Sequence, residues 1–226
     1  MHRSSNREGI ASDSQKVAMT DAQHTEAYLW RHIFGLCEAL RARRIVDIGC
    51  GNGALCRELA SRGYEVVGCE PCAEIFHLAQ RGAPELLFHR LGVDDDPSVV
   101  GNESFDVAIA TEVIEHLVRP FNLPRFAKQL LQPGGHLIIS TPYHGYLKNL
   151  FLALTNRWDA HLNPFWDGGH IKFWSYKTLS QLLNESGFRI VQFIGAGRLP
   201  YLWKSMIVVA QKLEASKQLT NGGSPG

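Results

Sequence analysis

Several things are missing from this 226-residue chain, and each absence narrows what it does. Its five cysteines, Cys37, Cys50, Cys56, Cys69 and Cys72, are odd in number and form no paired C-x-x-C modules. A disulfide scaffold and a multi-cysteine zinc ribbon are therefore excluded, and a reducing cytoplasm is the expected setting. The single spacing Cys69-x-x-Cys72 encloses Pro71 and reads as incidental to a strand end. No apolar run is long enough to cross a bilayer. The N-terminus is polar and has no apolar signal core. Charge of one sign is also lacking: 23 Lys and Arg face 22 Asp and Glu, a net charge of +1. No large field gathers a polyanion, so nucleic acid is not an expected partner. No internal repeat or linker divides the chain, and its length fits one domain.

What is present is a full complement of core-forming residues, 45% hydrophobic, and one organising stretch. Ile45, Val46 and Ile48 are β-branched and apolar, the mark of a short buried strand. Gly49, Gly51 and Gly53 follow at alternate positions, and Ala54 to Ala60 then has helical apolar spacing. Glycines in such a strand-turn-helix unit allow a sharp turn and a close ligand approach, and the first N–H groups of the helix face that ligand. Asp47 lies inside the strand end, where a carboxylate needs a cationic or hydrogen-bonding partner. Tyr64 to Glu70 reads as a second strand ending in an acid. Glu70 stands about 20 residues past the glycine turn, where a carboxylate accepts both ribose hydroxyls of a nucleoside.

The run Val46-Asp47-Ile48-Gly49-Cys50-Gly51-Asn52-Gly53, with Glu70 closing the next strand, resembles the class I S-adenosylmethionine-dependent methyltransferases. Dehydrogenases place G-x-G-x-x-G here, and an acid before the first glycine suits a sulfonium better than a pyrophosphate. Two later stretches share the resemblance: Phe105-Asp106-Val107 leading to Glu112-Val113-Ile114-Glu115-His116-Leu117, and Leu131-Gln132-Pro133-Gly134-Gly135 leading to Thr141-Pro142. It implies S-adenosyl-L-methionine as cofactor and a Rossmann-like, seven-stranded α/β sheet with helices on both faces and the last strand antiparallel. The implied cofactor-binding set is Asp47, Gly49, Cys50, Gly51, Gly53, Glu70, Pro71, Val93 and Thr111. The family often has an adenine-binding acid after the third strand. Gly92-Val93-Asp94 stands there, so the contact goes to Val93 and the role of Asp94 stays open.

In chain order, residues 1–20 read as a disordered leader, 21–213 as the methyltransferase domain and 214–226 as a disordered tail. A helix spans Asp21 to Ala42; its Tyr28 and Trp30 either shield the cofactor or pack in the core. Further helices begin at Ala73 and end at Leu131 before a break at Gln132–Gly135. Strands cover Leu86–His89, Ser104–Thr111 and His136–Thr141. Ser175 is an N-cap for a helix through Leu183 to Gly187, and Phe188–Ile194 with Ser205–Gln211 form a terminal hairpin. Residues 142–175 are the least generic and read as an acceptor-site insertion or lid. Within them Leu147, Leu150, Phe151 and Leu154 mark an amphipathic helix, whose span 146–154 is suited to peripheral membrane contact.

Transfer to a hydroxyl or amine calls for a base. Of His116, His144, His161 and His170, the last is preferred, because Gly168-Gly169-His170 presents it in an aromatic loop. The catalytic set is His170, His116 and Glu112. No metal is assigned, but Glu112, Glu115 and His116 share one turn and would be the ligands of a divalent cation. Their E-x-x-E-H pattern is similar to that of small-RNA 2′-O-methyltransferases and ubiquinone-pathway O-methyltransferases, with His170 as the later ligand. The expected acceptor is a small molecule, most readily an oxygen on an apolar or ring-bearing body. The alternatives are a metal-assisted RNA 2′-O-methyltransferase and a non-catalytic cofactor-binding partner.

Overall fold

The β-branched run Arg44–Ile48 forms strand β1, buried from Ile45 onward. The structure, a computed structural model, describes residues 28–158 and 169–214. The expected leader and all of the tail but Glu214 lie outside the described residues, as does His161. Helix α1 occupies residues 28–39. Then come α2 (Ala54–Ser61), β2 (Glu65–Cys69), α3 (Ala73–Gly82), β3 (Leu87–His89), β4 (Phe105–Thr111), α4 (Asn122–Leu130), β5 (Leu131–Pro142), α5 (Tyr146–Leu154), α6 (Tyr176–Glu185), β6 (Phe188–Ala196) and β7 (Ser205–Lys212).

The seven strands lie in the order β3-β2-β1-β4-β5-β7-β6. β1 pairs in parallel with β2 and β4, and β4 with β5. β7 alone is reversed, antiparallel to both β5 and β6. This is the expected Rossmann-like α/β sheet with its last strand antiparallel. Side chains alternate across it as strand geometry requires. Val46, Ala108, Leu137 and Val208 meet α4 and α6 on one face. Ile45, Val107, Ile138 and Val209 meet α1 and α2 on the other. Such a sheet binds ligands beyond its strand carboxyl ends, at the point where the strand order reverses, here between β1 and β4.

One boundary departs from the sequence reading. Leu131 opens β5 instead of closing α4, pairing with Phe105, and the register then jumps to Val107 opposite His136. Gln132–Gly135 is thus an irregularity inside a strand. Gly134 takes φ +75°, and a Cβ at Gly135 would meet Gln132 O at 3.0 Å and Asp106 O at 3.2 Å. Helix α5 keeps the expected span, Tyr146–Leu154. Leu147, Leu150, Phe151 and Leu154 are exposed, while Lys148 and Leu152 face inward. Ser175 caps α6 as expected: its side chain accepts from Thr178 N, and the Thr178 side chain returns to the cap backbone.

The glycine turn is held by a steric contact. A Cβ at Gly49, where φ is +76°, would stand 2.6 Å from Val113 Cγ2, whereas a Cβ at Gly51, with φ +55°, would meet nothing within 4 Å. Gly51→Ala is expected to lose about 1 kcal/mol through backbone strain alone. Gly49→Ala should lose about 2–4 kcal/mol, from strain plus overpacking. Urea unfolding of both variants measures the difference, and equal losses would show that Val113 does not constrain the turn.

Candidate active site

At the carboxyl end of β1 the chain is stitched to β2: Gly49 N and Cys50 N both donate to Cys69 O, at 2.8 and 3.0 Å. Gly53 takes φ +75° as the cap of α2, and a Cβ there would stand 2.8 Å from Phe88 Cζ. Glu70 closes this side. Its Oε2 accepts from Gly51 N at 3.1 Å and its Oε1 from Cys72 N at 2.9 Å, leaving the residue 7% exposed. The carboxylate is thereby fixed beside the open face of Gly51. Pro71 lies against Gly92, where a Cβ would stand 3.2 Å from the proline Cβ. Cys50 turns down toward Gly68 and offers the groove backbone instead of side chain.

Asp47 sits beneath this turn, on the α1–α2 face. It is 1% exposed; Cys56 Sγ donates to its Oδ2 at 3.4 Å, and its Oδ1 has no hydrogen-bond partner among the described residues. Burial pushes the carboxyl up to about 7, opposed by the Cys56 thiol and reinforced by the Glu70 charge. A cation held above the turn is the missing compensation. The residues therefore fit the implied sulfonium nucleoside: an orphaned buried acid, an open glycine and a fixed carboxylate at the next strand.

The β4 end supplies the other half. Glu112 takes φ +52°, a strained conformation for a non-glycine residue, and its N–H donates to Ser140 O and Oγ, both at 3.1 Å. Ser140 Oγ donates to Glu112 Oε1 at 2.8 Å. The carboxyl, deep among neighbouring atoms although the residue keeps some solvent contact, is pushed up to about 7. Burial is the main cause, opposed by bonds from Ser140 and Ser205 and by the Lys148 charge. A single 3₁₀ turn, Ile114–His116, follows. Glu115 is 1% exposed and accepts from Thr141 Oγ1 at 3.0 Å. Burial, then the nearby Glu112 charge, pushes its carboxyl well above the usual range.

Residues distant in sequence close onto this turn. Ile171 N and Lys172 N both donate to Glu115 O, at 3.0 and 3.1 Å. His170 Nε2 lies 3.9 Å from Glu115 Oε1, and the His116 and His170 rings stand edge to face with centroids 4.9 Å apart. His116 Nδ1 is 3.2 Å from Gly169 O. Glu115, His116 and His170 offer ligand atoms that all lie within 4.8 Å of one another. Glu112 is outside that group. It faces Ser140 and Lys148 instead, so the one-turn set of Glu112, Glu115 and His116 is not the cluster that forms. The reason is the backbone: the left-handed Glu112 precedes a 3₁₀ turn, and a regular helical turn does not run from Glu112 to His116.

Other expected residues fall as follows. Thr111 ends β4 opposite Ser140. Val93 packs on the core, and Asp94 accepts a hydrogen bond from Asn122 Nδ2. His144 packs edge to face on Phe173. Tyr28 lies on the site side, its hydroxyl 2.9 Å from Ser205 Oγ. Sequence reasoning missed Val113, Ser140, Ser205 and Lys148. The last had a visible signal, being the only charged residue in the apolar run Tyr146–Leu154.

Residues 22–193 match a protein family described as a methyltransferase domain. The chain is 32% identical to a ubiquinone biosynthesis O-methyltransferase of Azorhizobium caulinodans, over 69% of this chain and 62% of that protein. It is 27% identical to the Burkholderia pseudomallei protein of the same name, over 71% of each. Among solved structures it resembles the methyltransferase domain of bacterial CtHen1-CN, with TM-score 0.63 and 17% identity over 83% of this chain and 99% of that one.

Asp47 makes stability depend on pH. The fold prefers the protonated acid, so the folded chain binds more protons than the unfolded one between the ordinary carboxylate range and pH 7, and stability falls as pH rises through that window. Asp47→Asn should stabilise the ligand-free chain by roughly 2 kcal/mol at pH 8 and by almost nothing at pH 4.5. Chemical denaturation at the two pH values measures this, and an equal effect at both would refute a buried ionising Asp47.

Proposed function

Since the chain belongs to the class I S-adenosylmethionine-dependent methyltransferases, we propose that its acceptor is a small, largely apolar molecule methylated on oxygen. The observation that carries this reading is the Glu115–His170 pair beside the β4 end, a histidine with a buried acid behind it. The O-methyltransferase names of the two curated relatives support the choice of oxygen.

In this reading Glu70 receives the ribose hydroxyls, and Gly49, Gly51 and Gly53 admit the nucleoside and its methionine end to the backbone. Asp47 supplies negative charge from below. The cofactor when bound provides a methyl group already activated by a sulfonium, so the protein's task is to position the acceptor and remove its proton. His170 takes that proton. Glu115 Oε1, 3.9 Å from His170 Nε2, stands behind the imidazole and favours its charged form. The Val113–Gly49 contact keeps this turn against the glycine loop, so the base and the nucleoside site are fixed relative to each other.

The exposed apolar side chains of α5, with Leu199 and Tyr201 of the β6–β7 connection, form an apolar surface that supports entry of such an acceptor and contact with a lipid surface. Among the described residues no helix is long and apolar enough to cross a membrane.

A second reading is favoured by the spacing of Glu115, His116 and His170. These three would hold a divalent cation, which lowers the pKa of an acceptor hydroxyl without a protein base. Under both readings His170→Ala should reduce turnover about 100-fold while S-adenosylmethionine affinity stays within twofold. Chelation separates them: loss of turnover, restored by a divalent metal, selects the cation, and indifference to chelator selects the base. Wild-type turnover in the His170 variant would refute both.

Glu70→Ala should weaken S-adenosylmethionine binding by about 1.5–3 kcal/mol, through loss of charge-assisted hydrogen bonds. Calorimetric titration measures this, and unchanged affinity would remove Glu70 from the ribose site.

A further inference from the structure

Next to the site, between α5 and the connection from β6 to β7, lies a cavity of about 720 Å³. Its walls divide by chemistry. Phe151, Leu199 and Leu202 are apolar, whereas Lys148, Arg157 and Arg198 are cationic, and among the described residues no acid lines it. We propose that this cavity seats the methyl acceptor, and that the acceptor carries an anionic group, a carboxylate or a phosphate, on an apolar body. The proposal deepens the small-molecule reading above and rests on it.

Lys148 is the decisive residue. It is 5% exposed, yet its ammonium makes one hydrogen bond, to Lys204 O at 3.3 Å. Among the described residues no carboxylate comes within ion-pair distance of it. Burial, with the Arg198 charge adding, pushes Lys148 down to about 8, and Glu112 opposes the shift only in part. A buried cation this poorly compensated, with a second cation facing it, is costly to keep unless an anion sometimes enters. The arginines add planar donors suited to carboxylate or phosphate oxygens.

The position also fits an acceptor. Lys148 feels the charge of both Arg198 at the cavity and Glu112 at the β4 end, so a ligand on the cationic wall lies near that strand end. The apolar side chains take its body. Both demands are met by an amphiphilic acid, and neither by a neutral polar molecule.

The test is equilibrium binding by calorimetry to the full chain, with 4-octyloxybenzoate and its uncharged counterpart 4-octyloxybenzamide as probes. The benzoate should bind at least about tenfold more tightly than the amide. Arg198→Gln, at an exposed position, should narrow the gap to about threefold or less with amide affinity unchanged, and Lys148→Met should do the same. Octyl phosphate and octanoate, compared in parallel, identify the anion by which binds more tightly. Equal binding of benzoate and amide overturns the proposal, as does a gap that survives in both variants. S-adenosylmethionine is titrated separately into the unmutated chain. Its failure to bind would overturn the methyltransferase reading, whereas the anion preference alone decides this one.

Discussion

The contact between Gly49 and Val113 organises the site. It joins the turn after β1 to the turn after β4, across the place where the sheet's order reverses. Helices leave β1 and β4 on opposite faces, so a crevice opens above their carboxyl ends. Without a side chain at position 49 the two turns meet inside that crevice. One then presents backbone amides and Glu70, and the other presents Glu112, Glu115 and His116. Glu70, Glu112, Glu115 and His116 are placed by chain leaving strands that end at this junction, and His170 by a segment that closes onto it.

Burial at the junction sets its electrostatics. Asp47, Glu112 and Glu115 are all pushed upward, chiefly by loss of water, and each is only partly compensated by thiol or hydroxyl donors. Ionising them as pH rises toward neutral opposes the fold. A cation brought near them would offset that cost.

Much of this was legible in the chain. The β-branched run, the alternating glycines and the acid at Glu70 are local features, and local sterics decide them. Ser175 was readable for the same reason, since its bonds to Thr178 span three positions. What was not readable depended on long-range closure. The closure that the amides of Ile171 and Lys172 make on the Glu115 carbonyl has no periodic signature, and His170 was brought to this turn only through the family pattern. The one-turn cluster of Glu112, Glu115 and His116 failed because a left-handed residue followed by a 3₁₀ turn does not share the facing rule of an α-helix. Likewise Pro133-Gly134-Gly135 resembled a helix break, while tertiary pairing absorbed it into β5.

The reversed strand has a consequence for assembly. β7 lies between β5 and β6, and its His136–Gln211 and Phe188–Lys212 pairings join chain segments made at different times. The half-sheet β3-β2-β1-β4-β5 is complete in sequence long before β7 exists, so during synthesis the outer edge of β5 stays unpaired while α5, α6 and β6 emerge. The Lys212 ammonium then fastens the end of β7 to Leu131 O at 2.6 Å and to Glu103 at 2.7 Å, at the first residue of β5. Closing that edge also carries Ser205 to Glu112 and Lys204 to Lys148, so the surroundings of Glu112 are completed last, onto a glycine turn that is already in place.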